Sequence, residues 1–215
     1  MSQAIEWYGQ KIVEATLKNL TKNGFTAIYV PSKEEALKKT LELIPRNSKV
    51  GIGGSVTLRE IALPQALKER GNPLADIWEP GLSEKEVIQV CRSGLTSDVF
   101  LSSSNAVTMD GKLLNADGTG NRVAAMIFGP PKVIIVAGIN KIVRDMEEGL
   151  RRIRNVASPM NAKRLGMKSP CGVNATCVED RCEPPERLCK VITILERQPD
   201  ETDITVVLVG EQLGY

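Results

Sequence analysis

The chain has 215 residues, 42% of them apolar and only 4% aromatic, enough for one globular domain or one domain with a small appendage. Its formal charge is +2 with both signs interspersed, so there is no basic stripe of the kind that binds nucleic acid, and no apolar run reaches the length of a membrane span. It has no histidine, which excludes a Ser-His-Asp triad, a histidine general base and any histidine-containing metal site. A cytoplasmic protein is expected.

In chain order, residues 3–22 place Ile5, Ile12, Val13, Thr16 and Leu20 on one face of a predicted helix, and its acidic residues argue against a signal peptide. Phe25 to Val30 reads as a strand, followed by Ser32 and Glu35 in capping-box spacing and a helix over 33–44. Lys49 to Ile52 is a second strand. Thr57 to Glu69 reads as a helix broken at Pro64, and Leu74 to Trp78 as a strand. Ser83 and Glu86 then cap a helix reaching about Ser93. Val99–Ser102 and Pro131–Ala137 are continuous apolar runs, the pattern of parallel strands buried on both faces. A helix is expected over 142–156, and the runs Val191–Leu195 and Ile204–Val209 suggest a hairpin-like return around Pro199-Asp200. This βα rhythm predicts an α/β fold with a mostly parallel sheet covered by helices on both faces.

Two segments carry candidate chemistry. Gly51-Ile52-Gly53-Gly54-Ser55-Val56-Thr57 leaves a strand and opens a helix, and small residues with free N–H groups suit an anion. A tight turn capped by Ser55 or Thr57 explains the same residues without a ligand. It is neither a Walker A motif nor a dinucleotide fingerprint, and no flavin or nicotinamide motif is present elsewhere. The second segment runs from Ser102 to Lys141. Met109-Asp110-Gly111-Lys112 reads as a turn between short strands, and Asp117-Gly118-Thr119-Gly120-Asn121 leads into a helix with Asn121 as a cap. Asp117, with Asp110 beside it, is the candidate general base, although Asx turn formation explains either one. Arg122 is a candidate bidentate clamp for carboxylate or phosphate. Lys141, just past the strand at 131–137, is either a second anion ligand or a surface lysine. A calcium loop fails because its bidentate position falls on Met126.

Four of the five cysteines lie in one tail segment, Cys171, Cys177, Cys182 and Cys189, spaced C-x5-C-x4-C-x6-C. Four thiolates can hold an iron–sulfur cluster or, alternatively, zinc, though the gaps match neither ferredoxin nor zinc-knuckle spacing. Free thiols or adventitious disulfides are the remaining reading.

Gly51-Ile-Gly-Gly-Ser-Val-Thr-Leu-Arg-Glu, Ser104-Asn-Ala-Val-Thr-Met-Asp-Gly, Asp117-Gly-Thr-Gly-Asn-Arg-Val-Ala and Val136-Ala-Gly-Ile-Asn-Lys-Ile-Val together resemble the LUD family of lactate-utilisation proteins. The resemblance spans nearly the whole chain, and the tail is similar to that of shorter members. It implies a three-layer α/β sandwich, the fold shared by ribose-5-phosphate isomerase, glucosamine-6-phosphate deaminase and CoA transferases. An α/β core over 1–160 is expected, with 161–215 completing the same domain through the cysteine-rich segment and final strands. The implied ligand site gathers Gly51, Gly53, Gly54, Ser55, Thr57, Asn105, Gly118, Gly120, Asn121, Arg122 and Lys141. The isomerases' acidic pair after the first Asp-Gly is missing, because Asp110-Gly111 is followed by Lys112-Leu113-Leu114. No glutamate fits the nucleophile position of a CoA transferase. The resemblance therefore implies a small anionic metabolite and a role in lactate or other 2-hydroxy acid utilisation with iron–sulfur oxidoreductase subunits as partners, in a homo-oligomer. An isomerase- or transferase-like enzyme, and a non-catalytic sensor or assembly factor, are the alternatives.

Overall fold

The computed structural model describes residues 3–178 and 182–215. Two apolar-rich segments far apart in sequence, Lys132–Gly138 (β7) and Asp203–Val209 (β10), pair in parallel at the centre of a six-stranded sheet. Their side chains alternate between two cores. Val133, Ile135, Ala137, Ile204, Val206 and Leu208 feed one, while Ile134, Val136, Val207 and Val209 feed the other. This is why the first segment reads as an unbroken apolar run and the second as a β-rich run interrupted only by Thr205. The remaining strands are Thr26–Val30 (β1), Val50–Ile52 (β2), Leu74–Asp76 (β3) and Val99–Ser102 (β4), in the order β1-β10-β7-β4-β2-β3, every pairing parallel.

Helices cover both faces. On one side lie Lys33–Leu43 (α2), Val56–Glu60 (α3) and Leu63–Glu69 (α4), whose Ala36, Leu58, Leu63 and Leu67 complete the core of Ile134, Val136, Val207 and Val209. On the other side Gln3–Lys22 (α1) and Asn121–Ile127 (α6) pack with a second, four-stranded sheet. That sheet contains Ala106–Thr108 (β5), Leu113–Asp117 (β6), Ile142–Val143 (β8) and Val191–Leu195 (β9), ordered β8-β5-β6-β9. The molecule is a three-layer α/β sandwich, as the βα rhythm predicts. Glu84–Gly94 (α5) is held by the Ser83–Glu86 capping box, both halves of which form. No helix among the described residues is long and apolar enough to cross a membrane.

Four sequence expectations change. Only Thr16 and Leu20 of the predicted α1 face are buried, and Ile5 is exposed with Trp7 and Tyr8 beside it. A helix of this length spans about 30 Å, whereas the β1 strand beneath it spans about 17 Å, so its first turns overhang the sheet. The break in the helical run falls at Ala62 (φ 55°), ahead of Pro64, which sits in the first turn of α4 where its missing N–H costs nothing. The helix expected over 142–156 begins later, because Ile142–Val143 pairs with β5 and Asp145 caps Met146–Arg152 (α7). It then runs on through a wide π-type turn, Ile153–Ala157, into Ser158–Arg164 (α8), and the wide turn accommodates Pro159. Finally, β9 and β10 form no hairpin: β9 pairs with β6 in the small sheet, and β10 enters the large one. The tail thus supplies a strand to each sheet.

Gly51 belongs to this packing. A Cβ there would lie 2.8 Å from both Phe100 Cδ2 and Ser97 Oγ and 3.0 Å from Gly94 Cα. Gly51→Ala should therefore cost about 1–3 kcal/mol by overpacking, read as a lower denaturant midpoint at unchanged m-value.

Candidate functional site

Strands β2 and β4 are neighbours although the chain reverses its direction of travel across the sheet between them, and the loops leaving their C-terminal ends diverge. In open α/β sheets such a crevice is where ligands bind. Here it forms a cleft of about 250 Å³, walled by loops after β2, β3, β4 and β7 together with residues of α8 and the C-terminal segment.

Lys141 lies on this cleft in the short 3-10 turn after β7, and it is 2% exposed, so it is no surface lysine. Its Nζ donates to Thr57 Oγ1 at 2.9 Å and to Ser103 Oγ at 2.8 Å. No carboxylate among the described residues forms an ion pair with it. Burial, reinforced by the positive charges of Arg152 and Arg122 and only partly opposed by Glu60, lowers its pKa to about 7. Thr57 passes the contact on, donating to Leu213 O at 3.4 Å, and Glu60 Oε2 accepts from Gly214 N at 2.6 Å. The C-terminal residues are thereby tied against Lys141.

Arg122, expected as an anion clamp, is committed inside the protein. Nε donates to Asp117 Oδ1 at 2.8 Å; one Nη reaches Ser103 O at 2.9 Å and Asn115 Oδ1 at 3.1 Å; the other reaches Asn105 Oδ1 at 2.9 Å and Ala116 O at 3.0 Å. A guanidinium has five N–H donors, and five bonds consume them. The residue ties the loop after β4 to the end of β6. Asp117 is equally occupied, accepting Arg122 on Oδ1 and the Val123 N–H on Oδ2 at 3.1 Å. That second bond does the capping expected of Asn121; the cap position itself is Gly120 at φ 85°.

Among the other expected residues, Gly54, Ser55, Thr57, Asn105, Gly118 and Asn121 line the cleft. Gly51, Gly53 and Gly120 do not. Ser55 caps α3, accepting from Leu58 N at 3.3 Å. Gly54 sits where a Cβ would meet Ile77 and Trp78 at 3.3–3.4 Å. Asp110 is elsewhere, in the β5–β6 turn beside Lys112, with its backbone oxygen accepting from Asn23 Nδ2. Sequence reading missed Ser103, Trp78, Arg164 and Tyr215. Arg59 and Arg164 both pack over the Trp78 ring, 4.5 and 4.9 Å from its centre, and Arg164 Nε donates to Tyr215 Oη at 2.7 Å. Only the Ser102–Ser104 run, three hydroxyls closing an apolar strand, carried a signal that could have flagged Ser103.

The cysteines gather at a second place. Cys171, in the short helix Pro170–Asn174 (α9), lines one small apolar pocket together with Cys177, Cys182 and Cys189, and Leu188 belongs to this pocket and to the cleft alike. Cys171, Cys182 and Cys189 are free thiols. Burial, then the neighbouring Cys171 and Cys189, push the Cys182 thiol up. Among the described residues, no three Cys, Asp or Glu side chains are spaced to hold one metal ion as they stand.

The chain is thus a three-layer α/β sandwich with a polar, cation-bearing cleft at the strand ends, the place where open α/β sheets bind ligands. The LUD domain model matches residues 13–209, and the chain belongs to that family. It is similar in structure to a DUF162 family protein from Deinococcus radiodurans, at 15% identity and a TM-score of 0.55, over 94% of this chain and 98% of that one. This likeness extends to the fold. No curated protein matches the sequence.

Proposed function

We propose that the cleft binds a small anionic metabolite and that the protein takes part in lactate or other 2-hydroxy acid utilisation, in the cytoplasm, with electron-transfer partners. The observation that supports this most is Lys141, a buried amine on the cleft with no carboxylate contact. Among the described residues, the ionisable side chains lining the cleft are those of Asp117, Arg122, Lys141, Arg164 and Tyr215, and the one aspartate or glutamate among them is spent on Arg122. The lining is therefore net positive whenever Lys141 is protonated, and an entering carboxylate supplies the missing negative charge. The same commitment of Asp117, with Asp110 outside the cleft, leaves no unengaged carboxylate on the lining to serve as an isomerase base or transferase nucleophile. Calorimetric titration with L-lactate and with its neutral amide tests the reading. Lactate is expected to bind and the amide to bind at least tenfold more weakly, since a hydrogen bond to a charged group is worth about 1.5–3 kcal/mol. Equal binding, or none, would contradict it.

A metal-bearing tail is the second part of the proposal. Four thiols on one apolar pocket, with no carboxylate among its described lining residues, are the donor set of an iron–sulfur cluster or, alternatively, zinc, though they would have to draw closer together to bind either. Leu188 makes that pocket a neighbour of the cleft. Anaerobically purified protein should carry stoichiometric iron and sulfide, or zinc, and lose it in Cys182→Ser. Metal-free protein with four titratable tail thiols would remove this part of the reading and leave the anion site intact.

A further inference from the structure

We propose that Lys141 is a nucleophilic amine that captures the carbonyl carbon of a 2-oxo acid as an imine. The inference rests on the reading of the cleft as an anion site and extends it to a substrate class. Three features of the geometry carry it. The amine borders a cleft large enough for a molecule of a few carbons, while its own surface is almost wholly withdrawn from water. Its two hydrogen-bond partners are hydroxyls, Thr57 Oγ1 and Ser103 Oγ, so no carboxylate locks it as an ammonium. A second cation, Arg164, lines the same cleft outside the Arg122–Asp117 pair; Asn161 Oδ1 and Tyr215 Oη hold its Nε and one Nη, and the other Nη is the group to face the carboxylate while Lys141 faces the carbonyl. Desolvation and nearby cations are the standard means of making a lysine nucleophilic near neutral pH, and the charged groups acting on Lys141 are Arg152 of α7, Arg122 of α6 and Glu60 of α3.

The chemistry closes without a further reactant. The Nζ lone pair attacks C2, and the C–N bond forms as the carbonyl π pair moves to oxygen, which takes a proton. The nitrogen loses a proton to give a neutral carbinolamine, which expels its hydroxyl as water on protonation and leaves the protonated imine. Thr57 and Ser103, both touching Nζ, are placed to move those protons. The net change is amine plus carbonyl plus one proton from solvent giving the protonated imine plus water. A bound 2-hydroxy acid has no carbonyl and cannot react, so the same cleft would hold the reduced acid reversibly and the oxidised acid covalently.

The test uses the whole protein with pyruvate and cyanoborohydride between pH 6 and 9, followed by peptide mass spectrometry. The expected result is one reduced pyruvate adduct on Lys141, at least tenfold above any other lysine, with a yield that rises as the pH passes about 7. L-Lactate should give no adduct, and acetone, which lacks the carboxylate, far less than pyruvate. Lys141→Arg, checked for folding by circular dichroism, should keep the cation and lose the adduct. Pyruvate binding by calorimetry without an adduct on Lys141, or adducts spread over exposed lysines, would overturn the imine and leave the anion site standing. Absence of pyruvate binding altogether would overturn both.

Discussion

Arg122→Ala should lose most of the stability of this domain, by about 3–5 kcal/mol, because it strips one partner from a buried ion pair. The arginine and aspartate side chains are 15% and 7% exposed, and the substitution leaves Asp117 with its backbone bond to Val123 alone. It also takes one donor from Ala116 O and one from Ser103 O, which keeps only Ser102 Oγ, and unties the loop after β4 from β6. For a chain of this size the melting temperature should fall by roughly 10 °C. Arg122→Lys should recover little of it, since one ammonium cannot reproduce a planar fork reaching five acceptors. A melting temperature within 2–3 °C of the wild type, on this scale of about 2–4 °C per kcal/mol, would mean that the guanidinium is free to serve a ligand after all.

Lys141→Met should have the opposite effect on stability. Folding lowers the pKa of this lysine from the ordinary 10.5 to about 7. Between those values the unfolded chain carries a proton that the folded chain has released, so stability rises with pH across that window. The penalty is fully present below pH 7, where both states are charged, and has gone above the unfolded value. The shift corresponds to about 5 kcal/mol at most, which Met, lacking the charge, does not incur. The variant should therefore be more stable than the wild type at pH 6 and lose that advantage steadily between pH 7 and 10, as chemical denaturation at each pH would show. A pH-independent difference would mean that Lys141 stays charged in the folded protein.

The central strands were legible because burial on both faces leaves a one-dimensional trace: past their first residues, β7 is apolar throughout and β10 is apolar except at Thr205. The cap at Ser83 was legible for a local reason, since both bonds of the box lie within four residues. What failed was long-range or directional. Ile142 and Val143 continue a helical spacing, and only their pairing with β5, more than thirty residues earlier in the chain, makes them a strand. β9 and β10 read as a hairpin because nothing local says that their partners are β6 and β7. The site followed the same rule. The polar density around Asp117 and Arg122 did mark the cleft, but composition does not say which way a side chain points, and the arginine turns inward to carbonyl oxygens. Lys141 was placed correctly at a strand's C-terminal end, whereas its burial depends on Thr57, Ser103 and the Leu213–Tyr215 segment closing over it. Ser103 and Trp78 were missed because hydroxyls and rings in loops serve packing as readily as binding.

The affinity of the wild-type protein for L-lactate, measured by calorimetry from pH 6 to pH 8.5, tests the anion site most directly. Lactate cannot form an imine and stays ionised over this range, so the only charge that changes on the cleft is that of Lys141, with its pKa near 7. Affinity should be highest at pH 6 and fall as Lys141 loses its proton, by at most about tenfold per pH unit, towards the weaker binding that Arg164 alone sustains. An affinity that is flat across the range, or that rises with pH, would contradict a lactate site built on this lysine.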